Sequence, residues 1–160
     1  NGQDCIYFLR ALQNIYLNHG GVEKLFTISS NNSNFDIKES IILCRNKFFE
    51  LHHLKRTEKH FSNPSVGSAC KRLNMFLRWM VRKDKCGVDF GIWNTIHASQ
   101  LICPLDIHTG RVARKLGLLK RKQNDWKAAK ELTKFLQKMD ISDPTRYDFA
   151  LFGAGANNDL

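Results

Sequence analysis

Apolar residues recur along most of this chain with the spacing of a helix rather than the alternation of a strand. The first such segment covers residues 4–18, with Ile6, Leu9, Leu12 and Tyr16 along one face and Gly20-Gly21 as its stop. The polar stretch Ser29 to Asn34 reads as a loop. Asp36-x-x-Glu39 then has the form of a capping box, opening a helix over residues 36–51 whose apolar positions are Ile41, Leu43, Phe48 and Phe49. From His52 to Ser65 the chain is basic and ends in Asn63-Pro64, the pattern of a loop or short turn.

A third helix is predicted over residues 69–83. Leu73, Phe76, Leu77 and Met80 converge on one side, and Lys71, Arg78 and Arg82 on the other, so its wet face reads as a cationic stripe. Residues 84–103 form a connector with short turns around Phe90–Trp93 and Ser99–Ile102. Pro104 precedes a helix over residues 108–116, with Val112 and Leu116 on its buried face and Gly117 as its stop. Asn124 or Asp125 can cap a helix over residues 125–139. Asp143-Pro144 opens the last, over residues 144–152, with Gly153 at its end. No strand pair, internal repeat or low-complexity segment interrupts the series. The expectation is an all-α helical bundle, residues 1–160 forming a single helical domain.

Charge adds the first hint of a partner. Lys and Arg number 25 against 15 Asp and Glu, a formal net charge of +10 in 160 residues. Such an excess favours polyanions, because each cation that neutralises a phosphate releases a condensed counterion. The other reading of the same charge is a solvated basic surface. No apolar run approaches the ~20 residues of a membrane span, so no membrane partner is expected. The five cysteines (Cys5, Cys44, Cys70, Cys86 and Cys103) are odd in number and lack a Cys-x-x-Cys pair. A reduced, cytoplasmic chain without zinc or an iron–sulfur cluster is the simpler expectation, and no cofactor is implied. His52, His53 and His60 fit a basic loop better than a metal site.

Two segments stand out against this background: Gly67-Ser-Ala-Cys-Lys71-Arg-Leu-Asn-Met-Phe-Leu77, and Cys103-Pro-Leu-Asp106-Ile-His-Thr-Gly-Arg111-Val-Ala-Arg-Lys-Leu-Gly117. The second resembles a block of the helix-hairpin-helix DNA glycosylases, with Asp106, His108, Arg111, Val112, Leu116 and Gly117 in register. The first resembles the glycine-rich hairpin of the bifunctional members, which places Gly67 on its first glycine, Ala69 on its second and Lys71 on its lysine. The second glycine is therefore lost, and the grip of backbone amides on a DNA phosphate is weakened with it. The interval from lysine to aspartate is longer than in the commonest members, and the four-cysteine cluster loop of one branch is absent.

A wider similarity covers nearly the whole chain. Lys71-Arg-Leu-Asn-Met-Phe-Leu-Arg-Trp-Met-Val-Arg82, Pro104-Leu-Asp106-Ile-His-Thr-Gly110 and Tyr147-Asp-Phe-Ala-Leu-Phe-Gly153 resemble an uncharacterised bacterial family of unknown function. That resemblance implies a further N-terminal helical region, making this chain a C-terminal portion.

The glycosylase resemblance implies a base-excision glycosylase with abasic-site lyase activity on damaged, double-stranded DNA. Lys71 would attack the sugar C1′ and form an imine. Asp106, at a helix start where the macrodipole favours an anion, would stabilise the developing cationic sugar. Gly67, Arg72, Arg78, Arg82, His108, Arg111 and Arg114 are candidate nucleic-acid contacts. Excision requires an extruded base, so Trp79, Phe90, Trp93 and Trp126 are candidate pocket residues, although tryptophans commonly serve the core. Two other readings remain: a DNA- or RNA-binding module that kept the fold without the chemistry, and a helical protein-interaction domain with an incidental basic face.

Overall fold

The computed structural model describes residues 1–27, 36–85 and 87–157. Every regular element among them is helical, and no strand forms; backbone pairing across the chain reduces to isolated bridges such as Ser68 with Asp125 and Lys83 with Phe90. The all-α expectation holds. The predicted loop at Ser29–Asn34, like Cys86, lies outside the described residues. The chain divides into two compact units, Asn1–Ser65 and Val66–Leu160.

In the first unit, α1 (Gly2–Asn18), α2 (Val22–Thr27) and α3 (Ile37–Phe48) pack together, followed by a 3₁₀ helix at Lys55–His60. Asp36 caps α3 by accepting from the Lys38 amide at 2.8 Å, as its sequence promised. The face of α1 corrects the sequence reading. Ile6, Leu9 and Tyr16 are more than half exposed and Leu12 over a third, while Tyr7, Ala11 and Ile15 are buried. Two apolar stripes run along this helix. The buried one carries Ala11, whose small side chain permits close packing, and Tyr7, whose hydroxyl donates to the Phe48 carbonyl at 2.7 Å. Phe8 and Phe61 close around the Phe48 ring.

The second unit contains α4 (Lys71–Val81), α5 (Ile107–Lys115), α6 (Trp126–Met139) and α7 (Asp148–Ala156), with 3₁₀ helices at Pro64–Val66, Ala98–Gln100 and Pro144–Tyr147. Its core gathers Leu105, Val112, Ala113, Leu119, Ala128, Ala129, Leu132, Leu136 and Leu151. Asp125 caps α6 through the Ala128 amide at 2.9 Å. Gly117 stops α5 as predicted: at φ +72° it lets the Leu118 amide turn back to the Ala113 carbonyl at 2.8 Å. Leu116, expected beside Val112 in the core, is half exposed, because this turn redirects the chain and buries Leu119 instead. Helix α7 continues through Gly153 to Ala156.

The wet cationic stripe of α4 is also corrected. Arg78 is only 2% exposed. Its guanidinium donates to Asp148 Oδ2 at 2.6 Å and to Asp89 Oδ2 at 3.2 Å, and Arg82 joins Asp89 (2.6 Å) to Asp143 (2.7 Å). Periodicity sees charge on one side of a helix as solvated. It does not see that the connector and α7 each bring a carboxylate to that side, and a buried charge needs such partners.

Candidate functional site

Lys71 and Asp106 meet in the second unit. Lys71 is the first residue of α4, following Cys70, which holds a left-handed φ of 50°. Asp106 is the N-cap of α5, and its carboxylate accepts from the Thr109 amide at 2.8 Å. The two helix starts converge so that Lys71 Nζ lies 2.8 Å from Asp106 Oδ2. Burial works to raise the Asp106 carboxyl. The Lys71 ammonium and the Thr109 amide oppose it and hold the group below its ordinary range, so Asp106 is an anion at neutral pH.

The position of Asp106 is fixed from behind. Its carbonyl accepts from Asn124 Nδ2 at 2.9 Å, and Asn124 Oδ1 accepts from Arg114 at 2.6 Å. Gly110 leaves room for this contact, since a β-carbon there would fall 2.8 Å from Asn124 Oδ1.

The pair opens into a cavity of about 220 Å³. This is smaller than the roughly 300–1,000 Å³ of drug-sized ligand sites. Lys71, Arg78, Asp106 and Asp148 supply its charged groups; Met75, Trp79, Pro104, Phe149 and Phe152 supply much of the apolar wall. Arg78 lies over the Phe149 ring at 4.1 Å, and Lys71 Nζ stands 5.9 Å from the Phe152 centroid. Burial raises the Asp148 carboxyl to about 6 against the attraction of Arg78, with Asp106 nearby adding to the rise.

A larger cavity, about 540 Å³, lies in the first unit. Its carboxylate, Asp4, already accepts from Thr57 Oγ1 at 2.8 Å, and His60 Nε2 lies 3.3 Å from it. No residue singled out for chemistry reaches it. Among the described residues no group of histidine, cysteine and carboxylate side chains is arranged to hold a metal ion, and no helix is long and apolar enough to cross a membrane.

A family model described as "Protein of unknown function (DUF2400)" matches residues 1–157. The chain belongs to that family. No curated protein and no solved structure matches it. In this DUF2400 member the remaining predicted residues fall into distinct groups. Gly67 takes a left-handed φ of +90° in an open position, and its carbonyl accepts from the Trp126 amide at 3.0 Å. Arg72 is exposed. Arg78 and Arg82 are tied to carboxylates, whereas Arg111 donates to the Gly155 carbonyl and Arg114 to the Arg121 carbonyl. His108 Nδ1 lies 3.2 Å from that same Gly155 carbonyl.

Of the four aromatic candidates only Trp79 lines the cavity. Trp93 packs edge-on against Phe76 in the interior, Trp126 is buried, and Phe90 is exposed on the connector. Asp148, Phe149 and Phe152 were missed as site residues, although they stand in the Tyr147–Gly153 segment that the family resemblance had marked. A further basic face was missed too. Lys127, Lys130, Lys134 and Lys138 follow helical spacing along α6, and all are exposed.

Proposed function

We propose that this DUF2400 member is a base-excision DNA glycosylase with abasic-site lyase activity, using Lys71 as nucleophile and Asp106 as its electrostatic partner. The observation that carries the reading is the 2.8 Å contact between these two side chains at the mouth of an aromatic cavity. Each sits at the start of its own helix, so their juxtaposition is set by the tertiary fold rather than by chain proximity.

Lys71 gives up one ammonium proton and its amine attacks C1′. The C1′–N bond breaks, its electron pair leaves with the base, and the equivalent of the proton that Lys71 gave up makes the departing base neutral. The amino sugar then opens to a protonated imine, the oxygen that closed the ring taking a proton from the nitrogen. The Asp106 anion, itself mostly buried, opposes the positive charge that develops on the sugar. Trp79, Phe149 and Phe152 offer apolar surfaces to an extruded base. The net charge and the lysine face of α6 suit double-stranded DNA as the partner.

The test is strand cleavage at a preformed abasic site in duplex DNA, together with base release from a panel of damaged duplexes. Wild-type protein is expected to cleave, with Lys71→Gln inactive and Asp106→Asn slowed by a factor on the order of 10²–10³. Failure of wild-type protein to cleave or to release any base would overturn the proposal. One observation favours a second reading: Lys71 is already paired as a cation with Asp106, an arrangement that also suits a binding module without chemistry. Salt-dependent DNA binding that survives both substitutions, with no reaction by wild type, would establish that reading instead.

A further inference from the structure

A second carboxyl group faces the cavity, and the Lys71–Asp106 chemistry leaves it without a role. Asp148 is the first residue of α7, 8% exposed, and it lines the cavity together with Lys71 and Asp106. Among the described residues, Arg78 Nη1 holds its Oδ2 atom at 2.6 Å. Phe149 and Phe152, which wall the same cavity, stand on the same helix. A ring held against those two side chains therefore lies beside the helix start that carries Asp148.

Resting on the glycosylase reading, we propose that Asp148 is the general acid of base release, donating its carboxyl proton to the base as the glycosidic bond breaks. The electron pair of the C1′–N bond leaves with the base, and the Asp148 proton neutralises it. The Asp148 carboxylate left behind takes the ammonium proton of Lys71, which frees the amine to bond to C1′ and returns Asp148 to its acid form, so no further co-reactant is required.

The surroundings suit that role. General acids work best when their ionisation lies near the working pH, and burial brings Asp148 to about 6. The groups that face it are Arg78 and Lys71 from α4, Asp106 from the start of α5, and the buried Cys103 thiol of the connector. Arg78 is shared with Asp89, which limits how strongly it holds Asp148 ionised. Asp106 cannot take the same part, because its lysine and its capping amide keep it an anion.

The experiment compares two reactions of the full protein. One is base release from duplexes carrying uracil, 8-oxoguanine, 3-methyladenine or 5-hydroxycytosine. The other is imine trapping at a preformed abasic site, which has no base to protonate. Asp148→Asn is expected to lower base release by about 10²–10⁴-fold and to slow trapping far less, with a urea-unfolding transition of the variant showing that it folds. Wild-type base release should decline as pH rises past about 6, and Asp148→Asn should lose that dependence, with Asp148→Glu restoring part of the rate. Equal base release by wild type and Asp148→Asn would overturn the inference alone, as would loss of both reactions together. A wild-type protein that traps at the abasic site but releases no base from the panel would also overturn it. Wild-type protein that does neither would overturn the glycosylase reading itself.

Discussion

Gly155 of α7 lies so close to His108 of α5 that a β-carbon on it would fall 2.9 Å from His108 Cβ and 2.9 Å from the His108 carbonyl oxygen. The contact sets the separation of the two helices that carry Asp148 and Asp106. It also brings the Gly155 carbonyl to Arg111 and His108. Gly155→Ala must push backbone as well as side chain, so it should destabilise the second unit by about 1–3 kcal/mol. Urea unfolding should show a lower midpoint, and a midpoint equal to wild type would contradict this packing.

Arg78 compensates two carboxylates at once. Arg78→Met keeps volume but strands Asp148 in the interior and leaves Asp89 to Arg82 alone, and should cost about 3–5 kcal/mol. Arg82→Met should cost less, because Arg82 is more exposed and Asp89 would retain Arg78. Chemical denaturation of the two variants side by side checks that order.

Stability against pH has a sign that separates the two cavity carboxyls. Asp106 titrates below its ordinary range when folded, so its contribution is present at neutral pH and lost as pH falls through that low value. Asp148 is raised from 3.8 to about 6 on folding. Its contribution is complete below pH 3.8 and is lost as pH rises through about 6, a change of up to ~3 kcal/mol. Unfolding free energy measured from pH 4 to 7 should therefore fall more steeply for wild type than for Asp148→Asn. Parallel curves would contradict the raised value.

The Lys71–Asp106 pair should contribute little to stability. Lys71 is 42% exposed in its side chain, and ion pairs so open to water are worth about 0.2–1 kcal/mol. Asp106→Ala also loses the cap on Thr109 and should cost roughly 1 kcal/mol more. Lys71→Gln should thus melt within a few degrees of wild type. A melting loss as large as that of Arg78→Met would make Lys71 a structural residue.

Much of this architecture is written in local signals. Asp36, Asp106 and Asp125 cap their helices, and Gly117 ends α5, because each feature is decided within one helical turn. Lys71 and Asp106 were legible as partners only through family blocks, since no local rule links the start of α4 to the start of α5. The misread faces share one cause. Arg78 and Arg82 look solvated until Asp89, Asp143 and Asp148 arrive from other segments, and Ile6, Leu9 and Tyr16 look buried until Ala11 and Tyr7 prove the better fit to α3. Asp148 escaped notice because an acidic residue in a first helical turn is ordinary; its burial and its place in the cavity are set by tertiary packing alone.

The most direct measurement is borohydride trapping of the full protein on duplex DNA containing an abasic site. Wild type is expected to give a covalent protein–DNA adduct, reduced with Asp106→Asn and absent with Lys71→Gln. No adduct with wild type, or an adduct that persists undiminished in Lys71→Gln, would contradict the proposal.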